Sequence, residues 1–196
     1  MMKRLAALLL LVLLLVGCTS VDPAAGENDT TGGQNQSYAF PGLGGTMPEM
    51  TITTATGENL TLSDLLEEKE LVVLNFWFEN CGWCLREFPV MELAYQRYQE
   101  DVEIVALNAT DGAAAVKEFQ QNNAYSFPMA ACPRAWVVES GVSAYPTSIF
   151  IDRDGVVCLI HVGAITQTEL WYTVFDAFTG ENYERKIYES IEELMQ

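Results

Sequence analysis

The chain has 196 residues, and 49% of them are hydrophobic, enough to bury the core of one domain and to exclude broad disorder. Ten Lys and Arg against 27 Asp and Glu give a net charge of −17, which argues against a nucleic-acid binder, because such a protein needs a basic face to neutralise phosphates. An anionic membrane surface repels the same charge, so attachment to a membrane has to be made by something other than charge.

Residues 1–18 read MMKRLAALLLLVLLLVGC. Lys3 and Arg4 precede an uncharged run from Leu5 to Gly17, too short for a bilayer span of about 20 residues but of signal-peptide length. The run ends in Leu15-Val16-Gly17-Cys18, which resembles the bacterial lipobox. That resemblance implies a lipoprotein signal peptide over 1–17 and acylation of Cys18, several acyl chains giving a stable anchor. The competing reading is an uncleaved anchor with an incidental Cys. Either way the rest of the chain is expected outside the cytoplasm and tethered. Residues 18–40 are polar, rich in Gly, Asn, Thr and Asp, and without apolar period; they read as a flexible acylated linker, with the folded domain expected over 41–196.

Met50–Thr54 and Asn59–Leu62 flank Thr56-Gly57, a hairpin signal. Ser63 is placed to cap a short helix, SDLLEE. Leu71–Phe78 is apolar at positions of both parities and reads as a central buried strand, followed by a helix from about Gly82 to Glu100 with Pro89 as an expected kink. Val102–Asn108 reads as a second buried strand, Ala113–Asn122 as a helix and Phe127–Ala131 as a short strand. Thr147–Ile151 and Val156–Val162 form an expected hairpin around Asp154-Gly155. Thr166–Phe178 is helical, and Tyr183, Ile187, Ile191 and Leu194 repeat at helical spacing, so an amphipathic helix is expected to close the chain. This order predicts an α/β fold in which helices cover a mixed sheet, with the helix after Leu71–Phe78 as crossover between parallel strands.

Cys81-Gly82-Trp83-Cys84 falls where the first buried strand gives way to that helix. Two intervening residues in a first helical turn let both sulfurs reach disulfide geometry. A Cys at a helix N-terminus meets unpaired N–H groups and the positive end of the dipole, which favour its thiolate. Cys84, one turn in, is placed to attack a mixed disulfide from within. Three other readings compete. A zinc knuckle needs two more ligands, and Cys132, Cys158 and His161 do not form a second close pair. A c-type haem site needs His after Cys84, where Leu85 stands. A purely structural disulfide suits an exported protein but leaves the strand-to-helix placement unexplained.

LVVLNFWFENCGWCLREFP, followed by Tyr145-Pro146-Thr147 and a strand ending in Asp152-Arg153-Asp154-Gly155, resembles the TlpA/ResA-like thioredoxin family over about residues 41–180. These are membrane-tethered thiol–disulfide oxidoreductases of the bacterial envelope. The resemblance implies a thioredoxin-like fold, Cys81 as attacking and Cys84 as resolving thiol, and Pro146 as a cis-proline facing the disulfide. An ordinary trans loop proline is the alternative. It also places Glu87 among the acidic residues near the active-site sulfurs, where a carboxylate raises thiol pKa values and shuttles a proton; a solvated Glu on a helix face is the alternative. No bound cofactor is needed. The partners implied are envelope protein thiols or disulfides and a CcdA-type membrane electron donor. Trp83 stands where the family usually has Pro, and Asn80 where a Trp often precedes the first Cys, so potential and client choice are not inherited. The same fold run as an oxidase or isomerase is the nearest alternative; a peroxidase with a lone Cys, or a non-enzymatic lipoprotein serving as a binding module or metallochaperone, fits less well.

Three readings stay open for Cys132 and Cys158: buried single thiols, a second structural disulfide, or a second redox element. His161 reads as a structural His, and Trp136, Trp171, Tyr172 and Phe175 as packing residues.

Overall fold

A computed structural model describes residues 40–180 and 183–196. The signal peptide, Cys18 and all of the linker but Phe40 lie outside the described residues.

Strand β3 (Leu71–Trp77) and strand β4 (Val102–Asn108) are buried at every residue, as the unbroken apolar runs require. They pair in parallel from Leu71↔Val102 to Trp77↔Asn108. Helix α2 (Gly82–Tyr98) makes the crossover. Strand β5 (Met129–Ala131) extends the sheet beyond β4, β6 (Thr147–Asp152) pairs antiparallel with β3, and β7 (Val157–Val162) pairs antiparallel with β6, giving the order β5-β4-β3-β6-β7. Strands β1 (Thr51–Thr53) and β2 (Asn59–Thr61) form the expected hairpin as a separate two-stranded sheet. Gly57 turns it at φ +92°, a conformation that a side chain resists.

The twofold period of β3 divides its side chains between two cores. Leu71, Val73 and Trp77 face α2 and helix α5 (Thr168–Phe178), packing with Phe88, Met91, Trp171 and Phe175. Val72, Leu74 and Phe76 face Met50, Ile52, Trp136 and helix α1 (Leu62–Glu68) through Leu62 and Leu65. Asn75 has the parity of the α2 face and is the one polar side chain in the strand.

Three expectations change. Helix α1 is capped by Thr61, whose Oγ1 accepts from the Asp64 N–H at 3.3 Å, so Ser63 lies inside the helix. Helix α3 (Ala113–Asn123) appears as expected, but α4 (Arg134–Glu139) was not foreseen: six residues after Pro133 are too few for a clear period, and burial of Trp136 holds them. The closing amphipathic helix is reduced to one turn, α6 (Ile191–Leu194). Residues 183–190 instead run as an irregular strap, because their partners are in the sheet: Tyr188 N–H donates to the Cys158 carbonyl at 2.9 Å, and Tyr183 and Arg185 reach Asp152. Pro89 lies inside α2, as expected, and the helix runs on through it to Tyr98.

Candidate active site

Strand β3 ends at Trp77, and a tight turn carries the chain through Phe78, Glu79 and Asn80 into α2. The Cys81 N–H donates to the Phe78 carbonyl at 3.0 Å, and the Glu79 N–H donates to Asp111 Oδ2 at 3.0 Å. Asp111 also receives Asn108 Nδ2 at 2.9 Å, tying the turn to the end of β4. Burial works against its charge, but these donors prevail and hold the carboxyl below its usual range. Sequence reading missed Asp111; its only signal was its position in a Thr-Asp-Gly loop after a strand.

Cys81 is the N-cap of α2, and its Sγ accepts the Cys84 N–H at 3.2 Å. Cys81 and Cys84 are joined in a disulfide, with Cα atoms 5.3 Å apart. Cys81 keeps 5% of its surface exposed and Cys84 none, which leaves Cys81 as the sulfur a client can approach. Trp83 is 58% exposed at the rim, and the Arg86 guanidinium lies 4.7 Å from its ring centroid. Asn80 is also exposed.

Glu87 is one turn beyond Cys84 on the same helix, and it is fully buried rather than on a solvated face. Its Oε2 accepts from Asn75 Nδ2 at 3.0 Å and its Oε1 from the Ile165 N–H at 2.8 Å. Burial pushes the carboxyl up to about 7, against the pull of these two donors. Asn75 Nδ2 also donates to Ser148 Oγ at 2.9 Å. Asn75 and Ser148 were missed as site residues, although a lone Asn in the run LVVLNFWF is an anomaly legible in the sequence.

Pro146 is buried, and the Tyr145–Pro146 peptide is cis. The Tyr145 ring meets Phe78 edge-on at 5.3 Å, so this turn packs against the segment that feeds Cys81. Among the described residues the other two cysteines, Cys132 and Cys158, are unpaired. Cys158 is buried and donates to the Phe150 carbonyl at 3.3 Å; Cys132 is half-buried, and burial pushes its thiol up to about 12. A second disulfide between them is thereby excluded. His161 is half-buried on β7, and burial lowers its pKa against the pull of Glu192. Trp136, Trp171 and Phe175 are buried packing residues.

A five-stranded mixed sheet with a Cys-x-x-Cys disulfide at a strand-to-helix junction defines a thioredoxin-fold dithiol protein. Residues 43–160 match the AhpC/TSA family. The thiol-disulfide oxidoreductase ResA of Bacillus thuringiensis subsp. konkukian is 31% identical over 171 residues, 86% of this chain and 95% of that protein. The thioredoxin-like protein YneN of Bacillus subtilis is 32% identical over 126 residues, 63% of this chain and 73% of the relative. A crystal structure of a putative thiol:disulfide interchange protein DsbE from Chlorobium tepidum superposes with a TM-score of 0.58 at 29% identity, covering 68% of this chain and 93% of that one. The chain belongs to the AhpC/TSA family, and within it to the TlpA/ResA-like thioredoxin-fold thiol–disulfide oxidoreductases.

Proposed function

We propose that this oxidoreductase works as a disulfide reductase on the outer side of the cytoplasmic membrane, held there by lipid on Cys18. The Cys81 thiolate attacks a client disulfide; one client sulfur leaves as a thiolate and takes a proton, and a mixed disulfide forms. The Cys84 thiolate then attacks Cys81 Sγ, the second client sulfur leaves, and the Cys81–Cys84 disulfide closes. Two electrons pass to the client, and the structure describes the oxidised end of the cycle. A dithiol donor of the CcdA type, in the membrane, resets the pair by the reverse exchange. Pro146 lines the client's approach.

The observation that carries the reducing direction is the buried Glu87 carboxyl one turn from Cys84. A dithiol becomes a strong oxidant when its thiolate form is stabilised. An ionised carboxylate beside the sulfurs opposes that thiolate, offsets the helix terminus and moves the pair toward the reducing end. Among the described residues no helix is long and apolar enough to cross a membrane, so the tether rests on the N-terminal Cys18 motif.

Redox titration of the Cys81–Cys84 pair against glutathione tests the direction. A midpoint well below the glutathione couple supports a reductase; a midpoint near −120 mV, about that of the oxidase end of this fold's range, overturns it. Fatty-acid labelling of cells expressing the wild type or Cys18→Ala tests the anchor, and equal label in both overturns it.

A further inference from the structure

Both oxygens of Glu87 are bonded to groups that lead back to Pro146. On one side, Oε2 takes Asn75 Nδ2 at 3.0 Å, and the same amide holds Ser148 Oγ at 2.9 Å, two residues after Pro146 in β6. On the other side, Oε1 takes the Ile165 N–H at 2.8 Å, and two residues earlier the Gly163 N–H donates to the Pro146 carbonyl at 2.9 Å. Gly163 has φ +113°, and this glycine-only conformation lets one short segment aim both N–H groups. The segment is pinned from behind, because Trp171 Nε1 donates to the Ile165 carbonyl at 3.2 Å. Glu87, Ile165, Asn75, Ser148 and Pro146 are all buried.

We propose that Glu87 is the joint between the helix that carries the cysteines and the turn that carries Pro146, with Asn75, Ser148, Gly163 and Ile165 as positioning residues, and that the proton on Glu87 sets how firmly the turn is held. The inference rests on the reading of Pro146 as the client-facing turn. Each carboxylate oxygen now accepts from an N–H. A carboxylic acid carries its proton on one of those oxygens, which then faces a donor and loses that bond. Neutralisation also weakens the bond that remains, since hydrogen bonds to a charged acceptor are roughly twice as strong as neutral ones. Asn75 has a means of responding: its Oδ1 is buried without a partner, so reversal of the amide presents an acceptor to the acid, while the Ser148 hydroxyl turns to donate. The groups that set the charge state of Glu87 are its burial, the Ile165 N–H and the Asn75 amide; no charged side chain from β3, β6 or α5 is among them. Cys84, one turn back on α2, is the group on the same helix whose ionisation the joint opposes.

The test follows Glu87 in the oxidised full-length chain in detergent, with no client present. Magnetic resonance reports the Glu87 carboxyl carbon, the Asn75 side-chain amide and the backbone amides of Ile165 and Gly163 across pH. All four are expected to share one midpoint close to 7. In Glu87→Gln the three amides should stop titrating in that range and sit near the low-pH positions of the wild type. Asn75→Leu, similar in size and lacking the donor, should raise the Glu87 midpoint by about one pH unit, because a hydrogen bond to the charged form is lost. Titration of Ile165 and Asn75 with an unmoving Gly163 would overturn the link to the turn, and an unshifted midpoint in Asn75→Leu would overturn the positioning role. Failure to reduce clients would remove the functional reading while leaving this titration intact.

Discussion

Arg185 donates through Nε to Asp152 Oδ2 at 2.7 Å, across 33 positions of sequence, and that contact fixes how the chain ends. Asp152 is fully buried at the close of β6. Its Oδ1 also accepts the N–H groups of Asp154 at 3.0 Å and Val156 at 2.9 Å, and its Oδ2 accepts the Tyr183 hydroxyl at 3.0 Å. Arg185 meets Asp154 as well. One carboxylate thus closes the β6–β7 turn and anchors the C-terminal strap.

Asp152→Ala should therefore destabilise the domain by about 3 kcal/mol in chemical denaturation, since buried donors lose their acceptor. It should also expose residues 183–190 to limited proteolysis before the rest of the domain unfolds. Burial works against the charge of Asp152, but Arg185 and the other donors hold its carboxyl below the usual range. Its contribution is accordingly present above the ordinary carboxylate pKa and lost as pH falls through the lowered one. A variant as stable as the wild type at pH 7 would show that the strap is held instead by the Tyr188 N–H bond to the Cys158 carbonyl, the Phe178–Tyr188 ring contact and the burial of Ile191.

Most of the sheet was legible because β3 and β4 are buried on both faces, and an apolar run without alternation says so directly. The C-terminal strap was not. Tyr183, Ile187, Ile191 and Leu194 do fall at helical spacing, yet spacing only reports which side chains might share a face; it is silent on a competing acceptor such as Asp152, distant in sequence. Ile187 is 44% exposed and Ile191 is buried, so the four do not form one stripe. The Cys81–Cys84 pair was readable from its spacing together with its place where a buried strand gives way to a helix. Its support was not: Asn75, Ser148 and Ile165 converge on Glu87 from three elements, and a backbone N–H leaves no mark in the sequence.

Glu87 makes the stability of the domain depend on pH. Its carboxyl stands at about 7 in the fold against an ordinary value of 4.5. The folded state therefore holds a proton that the unfolded state releases, and stability falls as pH rises from about 4.5 through 7. The full loss is about 3 kcal/mol, from 1.36 kcal/mol for each unit of pKa difference. Glu87→Gln should flatten that decline when urea midpoints are measured from pH 5 to 8.5. Parallel pH curves for the two proteins would mean that Glu87 ionises freely in the fold.

Cys132 and Cys158 should be inert bystanders. Burial pushes Cys132 up to about 12, and burial with the nearby Asp152 carboxylate pushes Cys158 up as well. At pH 8 a thiol of that kind is ionised to only about one part in ten thousand, and the thiolate is the nucleophile. Iodoacetamide applied to the oxidised protein at pH 8 should leave both unmodified, by peptide mapping, over a time that fully alkylates glutathione. Rapid modification of Cys132 would place a second reactive thiol near Tyr145 and reopen its part in exchange.

Within the reduced pair, Cys81 should be the nucleophile. It caps α2, where unpaired N–H groups and the dipole favour its thiolate, while Cys84 is wholly buried. Limiting iodoacetamide should modify Cys81 first across pH 6–9. Glu87→Gln should lower the apparent pKa of that reaction, because it removes a negative charge that opposes the thiolate. Cys84→Ser should accumulate mixed disulfides with a model client, since the attacking sulfur is kept and the resolving one is gone; Cys81→Ser should not. Preferential alkylation of Cys84, or mixed disulfides trapped by Cys81→Ser alone, would reverse the two roles and place the client's approach on the other side of the helix start.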